Sequence, residues 1–121
     1  MRKYILKGKE PVLCDNLMEF GHWYETADRR VALTEMDDYE VSTVFLGFDH
    51  GWGEGDPVLF ETMVFGAEGD ALIGTMRYST WGEAEKGHAQ VCEILQGAIA
   101  RSHEACRETL AKLGFSSRSD D

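Results

Sequence analysis

The distribution of hydrophobic and polar residues predicts a single α+β domain built on an antiparallel sheet. Residues 31–36 alternate, residues 41–48 are apolar on both faces, and the segment between them has turn-forming chemistry. This pattern is typical of a hairpin whose second strand, VSTVFLGF, is central and covered on both faces. Further apolar runs over 58–65 and 72–78 extend the hairpin into a meander of four or more strands.

Two short apolar patches near the N-terminus, residues 4–6 and 12–14, predict a weak hairpin or a pair of edge strands. Asp15 or Asn16 would then cap a short helix over residues 17–26, which should pack one face on the sheet. If the central strands are covered on both sides, either this helix or another subunit must cover the second face.

The C-terminal third of the chain predicts one long helix. Thr80-Trp81-Gly82-Glu83 matches a capping box, which marks a helix start. Apolar residues then recur every three or four positions as far as Leu113, and Gly114 stands where a left-handed residue would end the helix. We therefore assign residues 1–115 to the domain and residues 116–121 to a flexible tail.

The charge balance limits the classes of partner. Twenty-two carboxylates against 12 Lys and Arg give a formal net charge of −10. This excess argues against direct binding to nucleic acid or to an anionic membrane and favours a basic partner. The alternative is that the acidic excess serves solubility alone.

Cysteine usage and hydropathy indicate the compartment. Cys14, Cys92 and Cys106 match no zinc-ribbon or CxxC spacing, so we predict reduced thiols. The N-terminal segment lacks the apolar core of a signal peptide, and no run reaches the length of a membrane span. These features predict a cytoplasmic protein.

Four segments carry a family resemblance: DRRVALT at 28–34, VSTVFLGFDH at 41–50, LFETMVFG at 59–66 and RYSTWGEAEKGH at 77–88. Together they resemble a family of short bacteriophage and prophage proteins without an assigned function. The resemblance covers about residues 20 to 90 and implies a phage-encoded accessory protein acting in the host cytoplasm. It brings no catalytic residues with it.

Glu61 is the most unusual residue of the predicted sheet because its strand neighbours are largely apolar. We expect it to be at least partly buried. A buried carboxylate acquires a raised pKa, as general acids and bases do, unless an opposite charge keeps it ionised. Arg77 or Arg30 would supply that charge. The alternative is a structural contact, with an Arg or with Tyr78, that fixes the sheet register.

The glycine-rich loop FDHGWGEGDP, after the central strand, is the first candidate contact surface. Its carboxylates are suitable ligands for a hard cation, but their spacing is not that of an EF-hand, so we predict no metal site. The weak catalytic candidates are Glu61, His50 and Asp49. The candidate binding residues are Asp49, His50, Trp52, Glu54, Asp56, Glu61, Arg77 and Tyr78.

Two His/Cys pairs on the predicted helix, His88 with Cys92 and His103 with Cys106, each resemble half of a zinc site. They lie about three to four helical turns apart, so one chain cannot close a site from both. We predict ordinary buried cysteines. The chain also lacks the common nucleotide-binding and hydrolase motifs, and we predict no cofactor.

Three functional hypotheses follow. The leading one is a non-enzymatic phage accessory protein that binds a host protein and inhibits a host process or defence. The second is a small-molecule-binding protein or enzyme with a pocket around Glu61, Asp49 and His50. The third is an oligomeric structural or virion component whose apolar helix stripe is buried between subunits.

Overall fold

The computed structural model describes residues 1–51, 53–66, 71–73 and 76–117. The strands are β1 (Tyr4–Lys7), β2 (Glu10–Leu13), β3 (Arg30–Met36), β4 (Tyr39–Phe45), β5 (Phe60–Phe65), β6 (Ala71–Ile73), β7 (Arg77–Tyr78) and β8 (Ser116–Ser117). The helices are α1 (Leu17–Thr26), α2 (Trp81–Arg101) and α3 (His103–Lys112). The predicted α+β class is confirmed.

The main sheet is antiparallel, with the order β3-β4-β5-β6-β8 and with β7 also paired to β5. The predicted hairpin is present: Met36 pairs with Tyr39, and Asp37 takes the positive φ of 51° that the tight turn requires. Within the strand predicted over 72–78 the structure describes two short strands, β6 and β7, which pair with successive parts of β5. Residues 74 and 75 of that prediction lie outside the described residues.

The N-terminal hairpin β1–β2 forms its own two-stranded sheet, as predicted. Backbone hydrogen bonds hold it against the segment that follows β4; the Tyr4 N–H, for example, donates to the carbonyl of Gly47 at 2.8 Å. Helix α1 follows, and the Asn16 side chain caps it by accepting the N–H of Glu19 at 2.9 Å. Phe20 of α1 packs with Ile5 of β1, so this helix lies over the hairpin.

The capping box at the start of α2 is confirmed. The Glu83 N–H donates to the Thr80 hydroxyl, and the Thr80 N–H donates to the Glu83 carboxylate, both at 3.1 Å. The single helix predicted to run as far as Gly114 is wrong, because the chain breaks at Ser102. That residue takes an extended conformation, and its hydroxyl accepts the Ala105 N–H at 3.0 Å, which starts α3.

The helices of the described residues pack against one face of the main sheet or against β1. Leu95 of α2, Leu110 of α3 and Val41 of β4 lie in one buried cluster, while Trp23 of α1 meets Phe45 edge to face at 5.7 Å. The apolar stripe of α2 is therefore buried within the chain. The expectation that this stripe serves an interface between subunits is wrong.

The second face of the sheet differs from the prediction. The side chains of Leu33, Val44, Met63 and Phe65 point away from the helices, and none of them belongs to the hydrophobic clusters formed by the described residues. Helix α1 does not cover this face, because it packs on β1. The prediction that VSTVFLGF is covered on both sides therefore does not hold for the described elements.

The predicted tail begins with strand β8, which pairs with β6; residues 118–121 lie outside the described part of the chain. Within that described part, no helix has the length and apolar composition needed to cross a membrane.

Candidate functional site

Glu61 is the second residue of β5 and is buried, as the sequence predicts. Its Oε2 accepts a hydrogen bond from Nε of Arg77 at 2.8 Å, and their side chains are 10% and 41% exposed. Arg77 is the residue directly across from Glu61 in the β5–β7 register, whereas Arg30 pairs with Val44. The carboxylate is therefore held in an ion pair that joins two strands.

Asp49 organises the base of the glycine-rich loop. Its Oδ1 accepts the backbone N–H groups of Gly51 and Val58 at 2.8 and 2.9 Å. These two hydrogen bonds lower the pKa of the Asp49 carboxyl. The next residue, His50, also bonds locally, from Nδ1 to the carbonyl of Phe48 at 2.8 Å. The side chains of Asp49 and His50, the two catalytic candidates in the loop, thus stabilise the loop conformation through local hydrogen bonds.

The remaining loop candidates do not form a cluster. Glu54 and Asp56 are exposed, and Trp52 lies outside the described residues. Over the described ranges, no group of three His, Cys, Asp or Glu side chains is placed to hold a metal ion. Glu61 is paired on the sheet and does not line the cavity beside Asp49, so the described residues do not bring Glu61, Asp49 and His50 together in that cavity.

A groove that the sequence did not predict runs beside the loop. Tyr4 and Pro57 line both of two neighbouring cavities, of about 420 and 390 Å³, and the pair of cavities is here called the Tyr4 groove. Its first half is lined by Tyr4, Lys9, Glu10, Pro11, Pro57, Leu59, Ser79, Thr80, Trp81, Gly82 and Glu85. Its second half is lined by Met1, Arg2, Tyr4, Asp49, Gly51, Gly53, Glu54, Gly55 and Pro57.

Trp81 forms the wall of the groove at the start of α2. Its ring meets Phe60 edge to face at 6.3 Å, which ties the wall to the core. The Lys9 ammonium lies 5.8 Å above the indole centroid, within the range of a cation–π contact. The indole N–H is buried and has no hydrogen-bond partner among the described residues. The groove thus combines a fixed aromatic wall with charged rims.

A buried chain of hydrogen bonds crosses the core beneath α2. The imidazole of His88 lies 2.9 Å from the hydroxyl of Thr34 and 2.8 Å from that of Thr43. Thr43 continues to Thr62 at 2.6 Å, and Thr62 to the hydroxyl of Tyr78 at 3.1 Å. Burial lowers the pKa of His88, which favours the neutral form of the ring. The binding candidate Tyr78 is therefore part of the core.

This chain of hydrogen bonds was not predicted from the sequence, although the positions of its polar residues indicate it. Thr34, Thr43 and Thr62 all occupy strand positions whose side chains face α2, and His88 stands within the apolar stripe of that helix. Polar groups at four core positions need one another as hydrogen-bond partners. The half zinc site suggested by His88 and Cys92 is replaced by this arrangement, and burial raises the pKa of the Cys92 thiol.

The geometry favours binding over proton transfer, because the buried carboxylate and the loop aspartate are already engaged while the Tyr4 groove is accessible. Comparison of the chain with models of protein families, with curated proteins and with solved structures finds no match.

Proposed function

We propose that this chain is a phage-encoded accessory protein that acts by binding a host protein through the Tyr4 groove. The observation that carries the proposal is that Tyr4 and Pro57 line both cavities, so that the two cavities lie side by side. Two neighbouring cavities can receive successive side chains of an extended segment of polypeptide.

The groove offers the surfaces that extended segments use. Tyr4 and Trp81 contribute aromatic faces, and Pro11 and Pro57 contribute rigid apolar ones. Aromatic-lined grooves bind extended and polyproline-type segments because such segments lose little conformational entropy on docking. The edge-to-face contact of Trp81 with Phe60 keeps the wall in place before the partner arrives, which reduces the entropic cost of binding.

The charges that line the Tyr4 groove favour a basic segment of the partner protein. The lining residues include four carboxylates, Glu10, Asp49, Glu54 and Glu85, against two cations, Arg2 and Lys9. The net charge of −10 adds a long-range attraction for cationic partners and speeds their association. By occupying a basic segment of a host protein, the chain would inhibit the host process or defence to which that protein belongs.

The test is affinity capture from bacterial host lysate with three forms of the immobilised protein. One is unchanged; the groove variant carries Glu10→Lys and Glu85→Lys; the control carries Glu93→Lys and Glu108→Lys. All four positions are exposed, and the control variant has the same net charge as the groove variant. We expect a host protein that the unchanged form and the control retain and the groove variant loses.

Binding to the unchanged form should also weaken as salt rises, because exposed charges are screened. Two results would contradict the proposal. One is the absence of any partner above background. The other is a partner that the groove variant retains as well as the control does.

A further inference from the structure

The second face of the main sheet, turned away from the helices, is here called the open face. Its side chains form three rows that run across the strands. The middle row contains Leu33, Ser42 and Met63, which are paired across β3, β4 and β5. Leu33 is 38% exposed and Met63 is partly exposed, although both are apolar. The row thus presents two apolar side chains, on either side of the buried Ser42, on which the described helices do not pack.

The two outer rows carry opposite charge. At one end, Arg30 pairs with Val44, and the row continues through the Glu61–Arg77 ion pair. The ion pair is neutral as a unit, so Arg30 leaves this row with a net positive charge. At the other end, Glu35 pairs with Glu40, and the row continues to the partly exposed Phe65.

Each outer row lies beside a shallow cavity. One, of about 360 Å³, is lined by Arg30 and Val44 among others, and the other, of about 510 Å³, is lined by Glu35, Glu40 and Phe65 among others. A side chain as long as that of Arg30 has room to enter the acidic cavity of another molecule. The open face is thus positive at one end, apolar in the middle and negative at the other.

We propose that the open face binds a second copy of this chain, face to face, about a twofold axis that runs along the middle row. Rotation about that axis places each strand of one copy opposite the same strand of the other copy, and the two strands then run in opposite directions. Leu33 and Met63 then meet their own equivalents, and Arg30 of each copy meets Glu35 of the other, twice by symmetry.

The other simple twofold arrangement fails on charge. An axis parallel to the strands would place Glu35 and Glu40 opposite the same carboxylates of the second copy, and like charges in that position repel. Charge complementarity therefore selects one of the two arrangements. Twist of the two sheets would rotate them by about 30° from perfect alignment, which keeps Arg30 within reach of both Glu35 and Glu40.

The size of the face predicts a weak dimer. Four strand positions about 4.8 Å apart and five residues at about 3.3 Å give a footprint of about 300 Å² per copy. This is well below the roughly 800 Å² per partner of a standard interface, so a transient dimer that dissociates in the high micromolar to millimolar range is expected. The inference is independent of the Tyr4 groove, which lies at the N-terminal hairpin.

The test is sedimentation equilibrium at physiological ionic strength, where the repulsion between two acidic molecules is screened. Concentrations from about 20 µM to about 2 mM cover the affinities that such small interfaces provide. The unchanged protein should show a monomer–dimer equilibrium. Arg30→Glu alone and Glu35→Arg alone should each weaken dimerisation by about tenfold or more, because each places like charges opposite each other at both symmetric contacts.

A mixture of the two variants supplies the decisive measurement. In a heterodimer of Arg30→Glu with Glu35→Arg, both contacts again join opposite charges, so mixing should restore dimers that neither variant forms alone. Arg107→Glu and Glu108→Arg, exposed on α3, make the same changes in net charge and should leave dimerisation unaltered. Circular dichroism of each variant verifies the fold.

Three outcomes would overturn the proposal: a monomer at every concentration, dimers that the single charge reversals leave intact, or variants whose mixture stays monomeric. A monomer whose capture of a host protein is lost in Arg30→Glu would assign the open face to that partner instead.

Discussion

The ring of Tyr78 lies against the backbone of Gly87, in the space that a β-carbon at position 87 would occupy. The absence of a side chain on this turn of α2 lets the tyrosine hydroxyl reach Thr62, which ends the buried hydrogen-bond chain from His88. One glycine in a helix interior, which costs helix stability, is therefore required by packing.

Replacing Gly87 tests the close contact between the Tyr78 ring and helix α2. Gly87→Ala should lower the free energy of unfolding by about 1–3 kcal/mol, because the new methyl group forces the aromatic ring or the helix to shift. Gly97→Ala is the matched control: it lies in the same helix, is exposed and has open space around it. It should raise stability by up to about 1 kcal/mol through helix propensity. Urea unfolding measures both, and equal effects would contradict the packing argument.

The buried His88 predicts a pH dependence of stability. Its pKa in the folded state is below the ordinary value of 6.5, so below pH 6.5 the unfolded chain binds more protons than the folded one. The stabilisation from the neutral ring is complete above pH 6.5 and is lost as the pH falls toward the lower folded-state pKa. Urea unfolding from about pH 8 to about pH 5 should show this loss.

The variant His88→Gln, which does not titrate, should lose less stability over the same pH range. His103→Gln, at an exposed position of α3, should keep the pH dependence of the unchanged protein. An identical profile for the unchanged protein and His88→Gln would show that the imidazole does not carry this effect.

The ion pair on β5 predicts an asymmetry between single and double replacement. Arg77→Met leaves the buried Glu61 carboxylate without its partner and should lower the free energy of unfolding by about 1–2 kcal/mol. Replacing both residues by Met should recover most of that loss, because no buried charge remains. Arg30→Met should change stability by less than about 0.5 kcal/mol. Thermal and urea unfolding at low protein concentration measure the stability of the three variants. An effect of Arg30→Met equal to that of Arg77→Met would contradict the assignment of Arg77 as the partner of Glu61.

The break between α2 and α3 can be tested by replacing Ser102, because a helix break and a continuous helix predict stability changes of opposite sign. If Ser102 caps α3, Ser102→Ala should destabilise the protein by about 1 kcal/mol, and Ser102→Asp should retain the cap. In a continuous helix, alanine would be the better residue and would stabilise it. The sign of the change in the urea midpoint distinguishes the two.

The local parts of the fold could be predicted because their causes are local. The capping box of Thr80 and Glu83 and the positive-φ turn after Met36 depend on residues at most four positions apart. The helix break was missed because the apolar period continues through Ser102 to Cys106, and periodicity does not detect a cap within an unbroken stripe.

The candidate site was predicted in part. The burial of Glu61 follows from its apolar strand neighbours and is confirmed. The sequence offered Arg77 or Arg30 as its partner, and the strand register selects Arg77. The Tyr4 groove was missed because Tyr4, Pro57 and Trp81 come together only when the N-terminal hairpin docks beside the start of α2.

The α+β class, the β3–β4 hairpin, the start of α2 and the acidic charge balance can be read from the sequence, since alternation, turn chemistry, capping and composition act within short stretches of chain. Tertiary packing is what selects the polar groups that share the core and the face of the sheet that stays open. His88 meets Thr43 across 45 positions of sequence and Thr34 across 54. Such contacts form when separate elements pack to bury apolar surface and satisfy buried polar groups at once, and no local pattern records that outcome.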